Sequence, residues 1–234
     1  MRSFIFDVDG TLTPSRGRIN KHFGAWFGEF CESNDVYLVT GSDRPKTIEQ
    51  VGIGLYAKCK RVYQCSGNDV YEQDTLVHRA EVDWHKDVYK FLEDCLAEED
   101  FSIATGNHIE QRSGMINYCL VGRNANTQER QAFMTWERDR GSRHRTAAAF
   151  NKAFPQYQAS IAGETGIDIV LRGAHKGQII EDFDFSDNVH FFGDKIDPGG
   201  NDYELALAVD ERCGIVYDVS NWKDTWEYLK EINT

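Results

Sequence analysis

The run Phe4-Ile5-Phe6-Asp7-Val8-Asp9-Gly10-Thr11-Leu12-Thr13 constrains the fold more than any other part of the chain. Three large apolar residues without polar alternation read as a strand buried on both faces, the mark of a parallel sheet covered by helices. The two carboxylates then fall at the C-terminal end of that strand, where open α/β sheets place their ligands. Acids at i and i+2 repel each other unless a cation or phosphate chemistry uses them. A Mg²⁺ site of one or two carboxylates plus substrate phosphate oxygens meets that need. An aspartate in this position is also able to act as a nucleophile and form an aspartyl-phosphate. Two solvated acids at a surface turn would be the bland alternative, but the buried lead-in weighs against it.

Strand and helix signals alternate after this run. Residues 20–33 carry Phe23, Trp26, Phe27 and Phe30 at helical spacing, and 36–40 form a short apolar strand. A helix over 45–51, a strand over 61–65 and a small hairpin through 70–71 and 76–78 follow. The pattern then changes. A helix is predicted for 85–96, strands for 101–109 and 115–121, helices for 127–140 and 145–153, and a strand pair for 157–162 and 166–171. The parallel pattern resumes with a strand at 189–192, a helix at 203–208, a strand at 214–217 and a helix from 221. The expected architecture is α/β: a doubly wound, mostly parallel Rossmann-like core of residues 1–81 and 184–234, interrupted by an inserted α+β cap of residues 82–183.

A net charge of −12 argues against a nucleic-acid partner bound through broad electrostatics, though not against a local basic pocket. Six cysteines without a CxxC pair read as free thiols of a reducing compartment rather than a zinc or disulfide framework. No apolar run approaches a membrane span, and the N-terminus enters a core strand directly, so a cytoplasmic protein without a signal peptide or membrane partner is expected.

Four further patterns carry chemistry. Thr40-Gly41-Ser42 offers a strand-terminal hydroxyl beside exposed backbone amides, a place for a phosphate oxygen, with Ser42 as a second possibility. Asp194 ends the apolar strand at 189–192 and opens a glycine-rich acidic loop whose Asp202 could alternatively cap the next helix. Lys176, near the return from cap to core, is placed to pair with Asp7 and a phosphate; a lone surface lysine is the alternative. Arg112, Arg123 and Arg130 cluster in an acidic protein, and guanidinium forks match phosphate bidentately. Taken singly, each could instead be a solvated arginine paired with Glu110, Glu129 or Glu137.

The Asp7-Val8-Asp9-Gly10-Thr11 motif resembles the first motif of the haloacid dehalogenase superfamily of phosphotransferases. That resemblance implies Asp7 as nucleophile, Asp9 as general acid/base, Thr40 as the hydroxyl of the second strand and Asp194 as the remaining magnesium ligand, with Asn201 and Asp202 in outer support. Over nearly the whole length, in order, the chain looks like a eukaryotic-type phosphomannomutase. The likeness runs through Leu12-Thr13-Pro14-Ser15-Arg16, Gly41-Ser42-Asp43, Arg112-Ser113-Gly114-Met115-Ile116-Asn117, Val121-Gly122-Arg123-Asn124, Gln128-Glu129-Arg130 and Gly193-Asp194-Lys195-Ile196-Asp197-Pro198-Gly199-Gly200-Asn201-Asp202.

By that similarity Arg16, Arg112, Asn117, Arg123, Arg130 and Asp168 contact the sugar phosphate. Mg²⁺ is held by Asp7, the Asp9 main-chain carbonyl and Asp194. The same resemblance implies activation by a hexose 1,6-bisphosphate and a homodimer formed through the cap. The implied activity is interconversion of mannose 6-phosphate and mannose 1-phosphate, with a Mg-dependent sugar-phosphate phosphatase of the same superfamily as the alternative. The chain departs from the family pattern at Gly166, where a phosphate-binding serine is usual, at His175, at Thr40, and in a shortened stretch between Arg140 and Arg145.

Overall fold

The computed structural model describes residues 2–73 and 75–232. The chain opens with strand β1 (Arg2–Phe6), helix α1 (Lys21–Ser33), β2 (Asp35–Val39), helices α2 (Arg44–Val51) and α3 (Ile53–Tyr56), β3 (Arg61–Gln64) and the hairpin β4 (Asp69–Glu72) and β5 (Thr75–Arg79). It then builds a separate unit from α4 (Lys86–Glu98), β6 (Ile109–Arg112), β7 (Met115–Cys119), α5 (Thr127–Arg140), α6 (Ser142–Ala153), β8 (Tyr157–Ala162) and β9 (Gly166–Leu171). It returns through β10 (Asn188–Gly193), α7 (Tyr203–Glu211), β11 (Ile215–Asp218) and α8 (Trp222–Ile232). Seven strands form one sheet in the order β11-β10-β1-β2-β3-β4-β5, and four form a second in the order β6-β7-β9-β8. In the first sheet β1, β2, β3, β10 and β11 are parallel, and the β4–β5 hairpin adds an antiparallel edge. The second sheet is antiparallel throughout.

The unalternated Phe4-Ile5-Phe6 explains the central place of β1. Phe4 and Phe6 pack into a cluster with Phe23, Phe27 and Phe30 of α1, and the Phe6 and Phe27 rings meet edge to face at 5.1 Å. Ile5 points to the opposite face and joins Ile179, Phe183, Leu205 and Val209. Helix α1 starts where its sequence allows: the Asn20 side chain accepts from the backbone of His22 and Phe23, an N-cap that satisfies two otherwise unpaired amides. In the second sheet, period-two alternation sends Ile116, Tyr118, Ile167 and Ile169 into a core with Val88, Leu92, Phe133 and Phe150. Asn117 and Asp168, paired across β7 and β9, are turned to the other face.

Two expectations are corrected. Residues 101–108 are not a strand. They form an irregular segment whose Thr105 exchanges backbone hydrogen bonds with Val121 and Asn124, and only Ile109–Arg112 joins the sheet. The second cap helix begins at Ser142, not 145, because the buried Glu137 carboxylate accepts from the backbone N–H groups of Ser142 and Arg143, both at 2.9 Å. The 3₁₀ segment Lys176–Asp182 and Phe183 supply Ile179, Ile180 and Phe183 to the cluster that covers Ile5 and Val39. All six cysteines are free. Among the described residues no helix is long and apolar enough to cross a membrane.

Candidate active site

The β1 ladder runs one residue past the strand, since Asp7 N donates to Phe192 O at 2.9 Å. This fixes Asp7 at the sheet's C-terminal edge beside Asp194, the residue after β10. Lys176 Nζ donates to Asp7 Oδ1 and to Asp202 Oδ1, each at 2.6 Å, and Lys176 is only 1% exposed. Asp7, Asp194 and Asp202 each offer a carboxylate oxygen, all within 4.8 Å of one another. Gly10 permits this approach. Its φ is +88°, and a Cβ there would lie 2.5 Å from Asp194 Oδ2.

Crowding three acids in a dry site has electrostatic consequences. Burial pushes Asp7 well above the usual carboxylate range; Lys176 opposes that shift, while Asp202 and Asp194 add to it. Asp194 is pushed up to about 6 by burial and Asp202, against Lys195 and Lys176. Burial disfavours the Lys176 charge, yet Asp202 and Asp7 outweigh it and hold the ammonium above its ordinary pKa. The cluster is a set of hard oxygen donors with more negative charge than its lysines balance, which fits a divalent cation such as Mg²⁺. Asp202 is already engaged at both oxygens, by Lys176 and by the Lys195 N–H at 3.1 Å. It occupies the N-cap position of α7 and accepts there from Ala206 N through its backbone carbonyl, but makes no side-chain cap bond.

Asp9, two residues on, is oriented differently. Its Oδ1 accepts from the Arg16 N–H and from Gln50 Nε2 at 3.0 Å, and its Oδ2 receives the Ser42 hydroxyl at 3.4 Å. The carboxylate is thus held by neutral donors, outside the Asp7–Asp194–Asp202 group. Thr40 is buried, and its Oγ1 accepts from Ser42 N at 3.0 Å, shaping the turn that delivers Ser42 to Asp9. Sequence reasoning missed Gln50 and Lys46. Both sit on α2 with i, i+4 spacing and reach the site: Lys46 Nζ donates to the Arg16 carbonyl at 3.1 Å.

The second sheet covers this edge. Arg112 bonds the Gly41 carbonyl and Glu110, and Arg123 Nε meets Glu110 at 2.8 Å. Arg130 reaches Glu164 at 3.5 Å, and Arg16 donates to the Arg123 carbonyl at 2.8 Å. Glu129 and Glu137 serve other ends, in the α5 capping box and as the partner of Arg143. Arg112 Nε and Arg130 Nη1 are buried without a hydrogen-bond partner among the described residues. Such groups ask for an acceptor. Asp168 accepts from Asn117 Nδ2 at 2.7 Å and from Asn201 Nδ2 at 3.5 Å. It lies so near the core that a Cβ on Gly41 would come within 2.4 Å of Asp168 Oδ2. The edge of β8 also bonds the glycine-rich core loop: Ile161 N donates to Gly199 O at 2.8 Å, and Asn201 N donates to Ile161 O at 3.0 Å.

Asp7, Asp9, Arg16, Thr40, Arg112, Asn117, Arg123, Arg130, Asp168 and Asp194 therefore line one cleft, with Lys176 directly beneath Asp7. A buried carboxylate next to a lysine, a site for a cation, a second acid held by neutral donors and an opposing arginine face together suit phosphoryl transfer.

Comparison with known proteins agrees with this chemistry. The family model described as eukaryotic phosphomannomutase matches residues 26–234. A phosphomannomutase of Saccharomyces cerevisiae is 32% identical over 97% of this chain and 92% of its own length. One from Galdieria sulphuraria is 32% identical over 86% of this chain and 83% of its own. Among solved structures, the IMP-bound IMP-nucleotidase of Plasmodium falciparum superposes with a TM-score of 0.67 at 17% identity. It covers 100% of this chain and 68% of its own, a likeness of fold. On this footing the chain belongs to the eukaryotic phosphomannomutase family.

Proposed function

We propose that the protein interconverts mannose 6-phosphate and mannose 1-phosphate, with Asp7 as the group that carries the phosphoryl. The observation that carries this reading is the pairing, across one cleft, of Asp7 on Lys176 with buried arginine N–H groups that lack an acceptor. A hexose 1,6-bisphosphate loads Asp7. The phospho-aspartate then passes its phosphoryl to the free hydroxyl of the bound monophosphate, and the resulting bisphosphate turns end for end before returning one phosphoryl to Asp7. Asp9, steadied by Gln50 and the Arg16 amide, takes and returns the proton of the sugar oxygen. Lys176 offsets the charge on Asp7, and Thr40 lines the phosphoryl site. Arg16, Arg112, Arg123 and Arg130 hold whichever phosphate is not reacting, and Asn117 and Asp168 complete the sugar site. Asp7, the Asp9 main-chain carbonyl and Asp194 would hold Mg²⁺, which when bound neutralises charge on the transferring phosphoryl.

The proposed division is a catalytic core around the seven-stranded sheet, including residues 176–183, and a cap around the four-stranded sheet. The cap must exclude water from the phospho-aspartate, since hydrolysis there would make the enzyme a phosphatase. A homodimer through the cap and a cytoplasmic location complete the reading.

The test is incubation with mannose 1-phosphate, Mg²⁺ and a trace of glucose 1,6-bisphosphate. Mannose 6-phosphate as the main product supports it. Free phosphate as the main product, with no isomer formed, overturns it in favour of a phosphatase.

A further inference from the structure

Two carboxylates pair with the arginines of the cleft, from different positions. Glu110 bonds Arg112 and meets Arg123 Nε at 2.8 Å, and it is not among the residues that line the cleft. Glu164 does line it, beside Arg130. Its carboxylate stands 3.5 Å from Arg130 Nη2, while Arg130 Nη1 is buried with no hydrogen-bond partner among the described residues. The guanidinium fork is therefore half occupied. A phosphate that binds it through both Nη groups must take Nη2 from Glu164. The backbone cannot carry Glu164 away, because the turn that bears it is fastened on both sides. Arg143 Nη1 donates to the Gly163 carbonyl at 3.2 Å and, more weakly, to the Gly166 carbonyl at 3.5 Å. Thr165 is buried and sets its hydroxyl 3.4 Å from Cys119 Sγ. Arg143 is itself held by the buried Glu137 at 3.4 Å. The Glu164 side chain, by contrast, is 40% exposed, so it yields to a ligand by turning toward solvent.

We propose that Glu164 is a resident competitor for the distal phosphate. It pairs with Arg130 in the free enzyme, gives Nη2 up to the phosphate, and recovers it as the bisphosphate lets go to turn. The proposal rests on the reading that Arg130 holds the phosphate that is not reacting. Glu164 opposes that phosphate twice over. Its pair with Arg130 must break, and its negative charge stays on a fastened turn at the rim of the cleft. Both costs fall on the bound state, so affinity for the distal phosphate is held down. A mutase has a use for this. Its intermediate must leave the arginines, turn and return with the other phosphate, and a grip that is too tight slows release. Glu110, outside the cleft lining, supports Arg112 and Arg123 without contesting the ligand.

The experiment measures affinity for mannose 1-phosphate by calorimetry, on the full chain with Mg²⁺ and without activator, so that turnover plays no part. Glu164→Gln keeps the size of the side chain and removes its charge. It is expected to bind about fivefold more tightly than the wild type, the worth of one unit charge at about 4 Å in water. Glu164→Ala is expected to tighten binding to the same degree. It guards against a new bond from the glutamine amide to the phosphate, and a gain in Glu164→Gln that is missing from Glu164→Ala sinks the proposal. Competition also needs the contested cation. In an Arg130→Ala background, Glu164→Gln should change affinity by less than about twofold. A full gain there would reduce Glu164 to general repulsion and overturn the competition. In turnover, KM should fall, and kcat should fall by up to about the same factor as release slows. A kcat that rises instead removes the part in release. Equal affinity of the wild type and both variants overturns the proposal outright. The mutase reading fails separately, as absent isomerisation in a protein whose affinity still follows the charge at position 164.

Discussion

Lys176 touches Asp7 and Asp202 at 2.6 Å each, and the three side chains are almost wholly out of solvent. Across the cleft, Arg130 meets Glu164 at 3.5 Å, Arg112 and Arg123 share the single carboxylate of Glu110, and Arg112 Nε and Arg130 Nη1 have no hydrogen-bond partner among the described residues. The core side is thus paired internally and short only of a cation, with Asp7 and Asp194 fixed at strand ends. The cap side is under-satisfied, and a cluster of cations that is short of acceptors is a site for an anion brought from outside. Catalytic groups must be in place before substrate arrives. Groups that bind the distal phosphate need only be completed by it, and they must also serve two orientations of the intermediate.

The contrast breaks first, and hardest, at the acids. Asp7→Asn is expected to abolish isomerisation and hydrolysis alike while the fold survives, because an amide forms no acyl phosphate; loss of a covalent nucleophile costs several orders of magnitude. Retention of more than about a hundredth of the activity in a direct assay would remove Asp7 from that role. Asp9→Asn should slow turnover by about 10² to 10⁴, the worth of a general acid/base, with Mg²⁺ affinity little changed. If magnesium titration showed Asp9→Asn abolishing metal binding and Asp194→Ala sparing it, the ligand assignment would be reversed.

Stability should separate the two sides next. Lys176→Met leaves Asp7 and Asp202 buried and uncompensated, a change that typically costs about 3–5 kcal/mol. Arg130→Ala removes a cation whose one ion pair is long, and exposed or loosely made pairs are worth about 0–1 kcal/mol. Urea midpoints measured side by side test this. Equal losses in the two variants would mean that the cap arginine is as structural as the core lysine.

Function should then separate them in the opposite sense. Arg123→Ala and Arg130→Ala are expected to lower mutase kcat/KM by about 10- to 100-fold, from roughly 1.5–3 kcal/mol per charge-assisted contact. Hydrolysis of a small aryl phosphate should change little, because it has no second phosphate to hold. A matching fall for both substrates would place these arginines in the core chemistry.

The two regions also differ in how far they can be read from sequence. Asp7 and Asp194 were legible because each follows an apolar strand, so local pattern alone puts them at the same sheet edge. The cap strands β8 and β9 were legible as a strand pair, whereas Asn117 and Asp168 were reached only through the family resemblance. Gln50 and Lys46 were not, because α2 is short and polar and nothing local marks Gln50 as nearly buried against Asp9. Asp202 reads from sequence as outer support of the metal site with a helix cap as the alternative, and its pairing with Lys176 was not legible because the two are far apart in sequence. The segment Lys176–Asp182 was hidden because a 3₁₀ helix has no long period to recognise. Glu137 likewise showed no sign of capping the following helix, a role visible only once α6 turns back beside it.

The smallest expected effect concerns the core's one unmet requirement, its cation. Asp194, pushed up to about 6, is an acid with a raised pKa in the folded state. Between its ordinary value near 4 and about 6 the folded protein binds more protons than the unfolded chain, so this group's effect on stability worsens as pH rises through that window. The metal-free protein should therefore gain stability from this group on going from pH 7.5 to about 5.5. Magnesium should act in the reverse direction, because it competes with the proton for the same carboxylate. From Asp194 alone, apparent affinity should fall about fourfold between those pH values, or roughly 0.8 kcal/mol at saturating metal. For a domain of this size that is a loss of about 2–3 °C from the magnesium-induced rise in melting temperature. Thermal shifts with and without Mg²⁺ at both pH values, repeated on Asp194→Asn, read it directly. A magnesium shift that is the same at both pH values, or that persists in Asp194→Asn, would put the cation elsewhere and leave the core's excess negative charge to Lys176 and Lys195 alone.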